Sequence, residues 1–260
     1  MFKYICTDKL ALRDAKIALP KKPLPENDVR PVEIITADSI KSVIPLDIYQ
    51  VWHDLDLPPS VRESTQLVRD QNPEFSHHVY TERTCRIFIK RYFDKQVLKA
   101  YDTLIPHAFK ADLWRYCVLY KMGGIYLDSK FYGVDGFKLL SLTDKDYFAR
   151  DVAYFGIYNA IIACKAGNPI LLNCINKVVE NTRSKFYGTC GVCPTGPLMI
   201  MEFFPEKEHA KLRLEVEITF DKKRYIRLDG RRILKYHEDY HAQRTSSWGT
   251  QWYKKQIYKR

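Results

Sequence analysis

The chain has 260 residues, 46% of them hydrophobic, which fits one large α/β domain or two small ones and argues against a disordered protein. Its formal net charge is +11, and the basic residues are dispersed apart from denser clusters over 222–232 and 254–260. Such a charge suits a basic soluble surface, and equally attraction to an anionic small molecule, a nucleic acid, or an anionic membrane or glycan. No nucleic-acid-binding motif is present, so a nucleic-acid partner is not expected.

The N-terminal sequence and the cysteine content predict a cytoplasmic protein. The first residues are charged and lack an apolar core of signal-peptide length, and no stretch approaches 18 apolar residues, so no membrane span is expected. Seven cysteines form no evident disulfide framework, which favours free thiols. The CxxC pair Cys190 and Cys193 would need two further ligands to bind zinc, for which Cys164 or Cys174 could be proposed, and free thiols are the better interpretation.

The first half of the chain predicts alternating strands and helices. Residues 1–43 are expected to be an accessory segment and 44–260 the main domain. The predicted elements are strands at 46–53 and 75–80 and helices at 60–70, 81–92 and 95–101. Ser60 with Glu63 three residues later has the pattern of a capping box, and Thr81 is expected to cap the second helix.

Residues 108–128 predict a helix, a stop and a buried strand. Apolar residues recur at helical spacing, at positions 109, 113, 116, 117 and 120. Gly123 and Gly124 end the helix, because glycine readily adopts the left-handed cap conformation. A short strand then runs from Ile125 to Asp128.

The second half continues the alternation. The predicted elements are strands at 147–149 and 159–164, a helix at 169–181, and strands at 224–228 and 233–236 that flank the turn signal Asp229-Gly230. Strands alternating with helices predict a mixed α/β sheet covered by helices on both faces.

Several side chains are candidates for chemistry on the predicted framework. Asp128 ends a buried strand, where open α/β sheets bind ligands, although a lone aspartate there more often caps a turn. Asp112 and Arg115 lie three residues apart on the helix, and spacing alone favours a surface ion pair over a pair aimed into a cleft. Trp52 lies at the end of the first strand, where its ring could pack in the core or could stack on a nucleobase. His237 and His241 resemble a metal pair only if they are helical and have a third ligand.

Five segments in this order resemble glycosyltransferase family 32, the DXD-containing sugar-binding glycosyltransferases. They are IPLDIYQVWHD, AFKADLWRYCVLYKMGGIYLD, NAIIACKAGNP, PTGP and HAQRTSSW, within residues 44–248. The resemblance implies a GT-A type mixed sheet with a Rossmann-like nucleotide-binding half. It also implies transfer of a hexose from a UDP- or GDP-linked sugar to a glycan or protein-linked acceptor, with retention. The oligomeric state does not follow from it.

The resemblance also assigns roles to residues. It places Trp52 beside the nucleobase and Tyr126 near the nucleoside, and it places Asn159 near the transferred sugar. Asp112 would bind sugar hydroxyls and Arg115 the sugar or phosphate, while Asp128 would be the first acid of the DXD motif. The remaining roles fall at the C-terminal end of the chain, where His241, Ser247 and Trp248 would close over the diphosphate and metal.

The chain departs from the DXD pattern at Lys130, because the triplet reads Asp128-Ser129-Lys130. An ammonium group cannot ligate a divalent cation and repels it. Three alternatives follow. Asp128 and His241 still hold Mn²⁺, or Mg²⁺ in its place; Lys130 itself neutralises the diphosphate as a catalytic group beside Asp112, Arg115 and Asp128; or the protein is an inactive relative.

Two other interpretations stay open. The protein is a non-catalytic sugar-nucleotide or glycan-binding relative, or a basic nucleic-acid-binding domain suggested by the charge alone. A second acid-x-acid triplet, Asp54-Leu55-Asp56, is expected in a loop and is disfavoured as a metal site, because the resemblance puts the diphosphate at the later motif.

Overall fold

A computed structural model describes residues 41–151, 156–237 and 248–259. The strands are Asp47–Val51 (β1), Ser76–Tyr80 (β2), Gly124–Leu127 (β3), Phe131–Gly133 (β4), Tyr147–Asp151 (β5), Gly156–Cys164 (β6), Leu214–Ile218 (β7), Arg224–Leu228 (β8) and Arg231–Tyr236 (β9). The helices are Pro59–Gln71 (α1), Glu82–Tyr92 (α2), Lys95–Thr103 (α3), His107–Met122 (α4), Pro169–Arg183 (α5), Pro197–Met201 (α6), Glu206–His209 (α7) and Trp248–Tyr253 (α8). A 3₁₀ turn spans Leu139–Leu142.

All of these strands join one mixed sheet in the order β2-β1-β3-β6-β5-β7-β8-β9-β4. β1 is parallel to both β2 and β3, whereas β6 runs antiparallel to β3. The parallel strands are joined through helices, as parallel pairing requires. This arrangement brings the carboxyl ends of β1 and β3 and the beginning of β6 to the same edge of the sheet.

Helices cover both faces of the sheet, so the α/β class predicted from the sequence is confirmed. α2 to α6 pack on one face, around Tyr49, Tyr126 and Ile162. α1 and the 3₁₀ turn pack on the other, against Ile48 and Ile125. Neighbouring residues of β1 and β3 point to opposite faces, as the period-2 geometry of a strand dictates.

α4 lies at the centre of the first layer. Its residues from Asp112 to Leu119 are all buried, so this helix contacts protein on every side rather than along one stripe. Gly123 ends it with a φ of 72°, and a Cβ there would lie 2.8 Å from the Ala166 nitrogen. A side chain at this position would therefore meet both backbone strain and a steric clash.

Local sequence signals predicted most of the helices and strands, but the predicted N-cap of α1 is wrong. Thr81 caps α2 as predicted, and Asp229 and Gly230 form the β8–β9 turn with φ values of 49° and 84°. Ser60 does not cap α1. That helix begins at Pro59 with Pro58 in the cap position and no side-chain cap bond, because proline suits the first turn of a helix. Most of the predicted accessory segment lies outside the described residues.

Candidate active site

The site begins where strands β1, β3 and β6 meet. Asp128 directly follows β3, and its backbone N–H donates to the Ala160 carbonyl of β6 at 2.8 Å. The neighbouring Ser129 hydroxyl donates to the Val51 carbonyl at the end of β1, at 3.1 Å. The sheet thereby holds Asp128 next to Asn159, although 31 residues separate them in sequence.

Asp112 and Arg115 form a buried ion pair rather than a surface pair. A guanidinium nitrogen of Arg115 lies 3.1 Å from Asp112 Oδ1, and the two side chains are only 6% and 12% exposed, respectively. The surface ion pair favoured by spacing alone is therefore wrong, because α4 is enclosed on all sides. Removing one partner would strand a charge in a poorly solvated place.

Each carboxylate oxygen of Asp112 accepts a further hydrogen bond from outside its helix. Asn159 Nδ2 donates to Oδ1 at 2.8 Å, and Thr195 Oγ1 donates to Oδ2 at 2.7 Å. Since a carboxylate oxygen accepts about two hydrogen bonds, contacts with the described residues leave one acceptor position, on Oδ2. Burial raises the pKa of Asp112 to about 6, against the opposing effects of Arg115, Thr195 and Asn159.

Arg115 connects Asp112 with Asp128. Its Nη1 donates to the Asn159 carbonyl at 2.5 Å and lies 3.5 Å from Asp128 Oδ1, and its guanidinium carbon lies 4.3 Å from the centre of the Tyr126 ring. The Tyr126 hydroxyl in turn donates to Asp128 Oδ1 at 2.8 Å. Burial lowers the pKa of Arg115, but the Tyr126 ring and the two carboxylates raise it by more, so the guanidinium is charged.

These groups line a cavity of about 270 Å³. Six of the residues singled out from the sequence contribute to its wall: Asp112, Arg115, Asp128, Lys130, Asn159 and Trp248. This volume lies just below the roughly 300–1,000 Å³ of common ligand pockets, so the cavity can hold part of a sugar nucleotide. The structure thus brings together residues that lie up to 136 positions apart in the chain.

Other predicted site residues lie elsewhere. The Tyr126 ring is buried and does not line the cavity, but it contacts two residues that do, Asp128 and Arg115. Trp52 follows β1, with its ring 5.0 Å from that of His53, and does not line the cavity. Ser247 and His241 fall outside the described residues, so their predicted roles stay predictions.

The structure adds polar residues that sequence reasoning did not assign. Thr195 and Tyr116 support Asp112 from below: Tyr116 donates to the Thr195 carbonyl at 2.6 Å and accepts from Asn159 at 2.8 Å. The unassigned polar side chains on the cavity wall are Asp151, Tyr158, Arg224 and Tyr236. Thr195 belongs to the segment PTGP, which carries part of the family resemblance, but no local sequence pattern indicated that its side chain contacts Asp112.

Asp128 is the described residue that the sequence predicts as a ligand for a divalent cation. No group of three or more histidine, cysteine or acidic side chains in the described ranges is arranged to hold a metal ion. Asp128 has the chemistry of a ligand and borders the cavity, whereas Lys130, on the same wall, is a cation. The second predicted ligand, His241, is not among these residues.

Neither of the two other sequence motifs contributes a carboxylate or a thiol to the cavity wall, although Gly191 and Val192, between the two cysteines, line it. Asp54 and Asp56 are exposed, and the Asp54 carboxylate accepts from the Asp56 backbone as in a simple turn. Cys190 and Cys193 are free thiols with their sulfurs 3.2 Å apart, as expected. The thiol of Cys190, by hydrogen bonding, lowers the pKa of Cys193 to about 6.

A family comparison agrees with the site. Residues 58–140, which contain Asp112, Arg115 and Asp128, match the family described as "Glycosyltransferase sugar-binding region containing DXD motif". This part of the chain is therefore similar to the sugar-binding region of that family. The family resemblance read from the sequence is thereby confirmed.

No helix of the described part has the length and apolarity needed to cross a membrane.

Curated relatives are similar over parts of the chain. The initiation-specific alpha-1,6-mannosyltransferase of Candida albicans is 30% identical over 90 residues, 32% of this chain and 23% of the relative. The inositol phosphoceramide mannosyltransferase 3 of Schizosaccharomyces pombe is 29% identical over 175 residues, 67% of this chain and 48% of the relative. The chain thus spans at most about half the length of these two relatives. Among solved structures, the PaToxG glycosyltransferase aligns with a TM-score of 0.48 at 18% identity, covering 61% of this chain and 67% of that one.

Proposed function

We propose that this protein is a retaining glycosyltransferase that moves a hexose from a UDP- or GDP-linked sugar to a glycan or protein-linked acceptor. The observation that carries the proposal is the buried, charge-paired Asp112–Arg115–Asp128 group on the wall of a cavity, within the sugar-binding region matched by the family. Mannose is the first donor sugar to test, because the fungal relatives are named mannosyltransferases.

Asp112 would orient the donor sugar. Its one remaining acceptor position fits one sugar hydroxyl, and the fixed hydrogen bonds from Asn159 and Thr195 keep the carboxylate from rotating. Such a rigid acceptor discriminates among hexoses through the direction of a single hydroxyl, since an unpaired buried polar group is costly.

Arg115 and Lys130 would act on the leaving group. Departure of a nucleoside diphosphate moves an electron pair from the anomeric carbon bond onto a phosphate oxygen, and a cation at that place stabilises the transition state. Both side chains line the cavity that Asp112 borders. In the proposed mechanism the sugar acquires oxocarbenium character, and the acceptor hydroxyl attacks from the face that the diphosphate leaves. Its proton passes to the departing phosphate oxygen as the new glycosidic bond forms.

The proposal includes a divalent cation, Mn²⁺ or Mg²⁺, with Asp128 as one ligand and His241 as the expected second. Such an ion would supply charge neutralisation at the diphosphate.

A turnover screen tests the proposal. UDP- and GDP-linked hexoses are supplied with Mn²⁺, Mg²⁺ or EDTA, and both transfer and donor hydrolysis are measured. Asp112→Ala and Asp128→Ala should lose activity, whereas Asp70→Ala, an exposed carboxylate on α1, serves as the matched control. Melting temperatures identify variants that fail to fold. Unchanged rates in the two site variants would refute the assignment.

A second candidate function is sugar-nucleotide or glycan binding without catalysis. It is favoured by Lys130 at the third position of the DXD triplet, where an acid usually ligates the cation. Binding of a sugar nucleotide without transfer or hydrolysis under any metal condition would select this alternative.

A further inference from the structure

The basic cluster over residues 222–232 contains one arginine that differs from its neighbours. Arg227 lies 3.5 Å from a Glu215 carboxylate oxygen, and Arg232 lies 2.8 Å from a Glu217 oxygen, so both are matched by acids on β7. Arg224, at the start of β8, instead lines the cavity. In the described ranges it has no carboxylate within 4.0 Å, and its contacts are aromatic.

Two tyrosines hold the Arg224 guanidinium in place. Its Nη1 donates to the Tyr158 hydroxyl at 3.0 Å. Its guanidinium carbon lies 5.7 Å from the Tyr158 ring centre and 5.4 Å from the Tyr236 ring centre. Contacts with ring faces attract a cation without neutralising its charge, so the guanidinium keeps hydrogen-bond donors for another partner.

Lys130 also lies near the Tyr236 ring. Its ammonium nitrogen is 5.3 Å from the Tyr236 ring centre, and the next residue, Phe131, pairs with Tyr236 between β4 and β9. Phe131 is fully buried and meets both tyrosine rings edge-on. Packed aromatic rings therefore place both cations on the cavity wall, with Lys130 just before β4 and Arg224 at the start of β8.

None of the acids on the cavity wall forms an ion pair with Arg224 within 4.0 Å. Asp112 and Asp128 both lie near Arg115, at 3.1 and 3.5 Å. Asp151 lines the same cavity, and its charge acts on Arg224 only from a greater distance. Tyr158 adds a donor, because its hydroxyl accepts from Arg224 and retains its own proton; burial raises the pKa of this phenol to about 12.

We infer that Arg224 and Lys130, with the Tyr158 hydroxyl, form a phosphate-binding subsite of this cavity. A guanidinium presents paired N–H groups that match phosphate oxygens, and a lysine ammonium adds a point charge. The inference rests on the proposed function for the source of the phosphate, which is the diphosphate of the donor or a phosphate group on the acceptor.

Binding measurements on the full chain test the subsite. Calorimetry compares UDP with uridine and GDP with guanosine, and a phosphomonoester, glycerol phosphate, is added with and without saturating nucleoside diphosphate. The variants are Arg224→Gln and Lys130→Met, with Arg227→Gln on the same strand as the matched control. Melting temperatures and the unchanged binding of the nucleoside itself show that a variant is folded.

The expected result is a loss of about tenfold in nucleoside diphosphate affinity in each site variant, with the nucleoside and the Arg227→Gln control unchanged. A loss confined to glycerol phosphate in the presence of nucleoside diphosphate supports the subsite and assigns it to the acceptor. If Arg224→Gln binds every phosphate probe as the unaltered chain does, the subsite is refuted while the proposed function stands. If the unaltered chain binds phosphate through Arg224 yet neither binds nor turns over sugar nucleotides, the proposed function fails and the subsite stands.

Discussion

Replacing Thr195 by valine removes one hydrogen bond to a buried carboxylate while keeping the shape of the side chain. Thr195 is 1% exposed, and its hydroxyl donates to Asp112 Oδ2 at 2.7 Å. A hydrogen bond to a charged group contributes about 1.5–3 kcal/mol, against about 0.5–1.5 kcal/mol between neutral groups. The cost of the substitution should therefore depend on whether Asp112 is ionised.

The pH dependence follows from the raised pKa of Asp112. Burial raises that pKa from 3.8 to about 6, so between these values the folded protein binds more protons at this site than the unfolded chain. The contribution of Asp112 to stability is consequently lost as pH rises through this window, and the loss is complete above it. The Thr195 hydroxyl lowers the pKa of Asp112. Thr195→Val should therefore raise that pKa, so that stability continues to fall with rising pH beyond the window of the unaltered chain.

The measurement is urea-induced unfolding at pH 5 and pH 8. Thr195→Val should cost about 1 kcal/mol at pH 5 and about 2–3 kcal/mol at pH 8. The control is Thr182→Val on α5, where a buried hydroxyl donates to the neutral Val178 carbonyl at 2.6 Å. That control should cost about 1 kcal/mol at both values. Equal losses for Thr195→Val at the two pH values would refute the reasoning.

Three further predictions concern the divalent cation, the contact of Gly191 with Trp248, and the cysteine thiols. EDTA should abolish transfer and Mn²⁺ should restore it; activity that survives EDTA but falls in Lys130→Met would assign charge neutralisation to the lysine instead. Gly191→Ala should displace Trp248, since a Cβ there would lie 2.6 Å from its ring, and should cost about 1–3 kcal/mol, measured by unfolding and tryptophan fluorescence. Cys193 is half-buried and has a pKa of about 6, so at pH 7 it should react with Ellman's reagent before the five buried cysteines of the described residues. The reaction is followed in a Cys6→Ser background, and a fast phase that is unchanged in Cys193→Ser would contradict the prediction.

Features encoded by short-range signals were predictable from the sequence. The α4 helix, its glycine stop and β3 follow from periodicity and from the conformational freedom of Gly123. The position of Asp128 at the sheet edge follows from its place after a buried strand. The alternation of strands and helices was sufficient for the fold class, since few layer arrangements bury such elements.

Features that depend on distant parts of the chain were not predictable. Spacing could not distinguish a surface pair from the buried Asp112–Arg115 pair, because the difference lies in what packs on the far side of α4. Thr195 reaches Asp112 across 83 positions, and Arg224 lines the cavity from a strand whose other arginine, Arg227, is paired with Glu215. No local pattern encodes either contact.

The enclosure of α4 ties binding to complete folding of the chain. The family-matched segment ends at residue 140, but Asn159 and Thr195, which donate hydrogen bonds to Asp112, come later. A nascent chain or fragment that stops before residue 195 would carry the whole recognisable motif and yet hold its charges without their partners. Under the proposed function, donor binding would require the chain at least as far as Thr195, and truncation between residues 140 and 195 would weaken it without touching a residue of the family-matched segment.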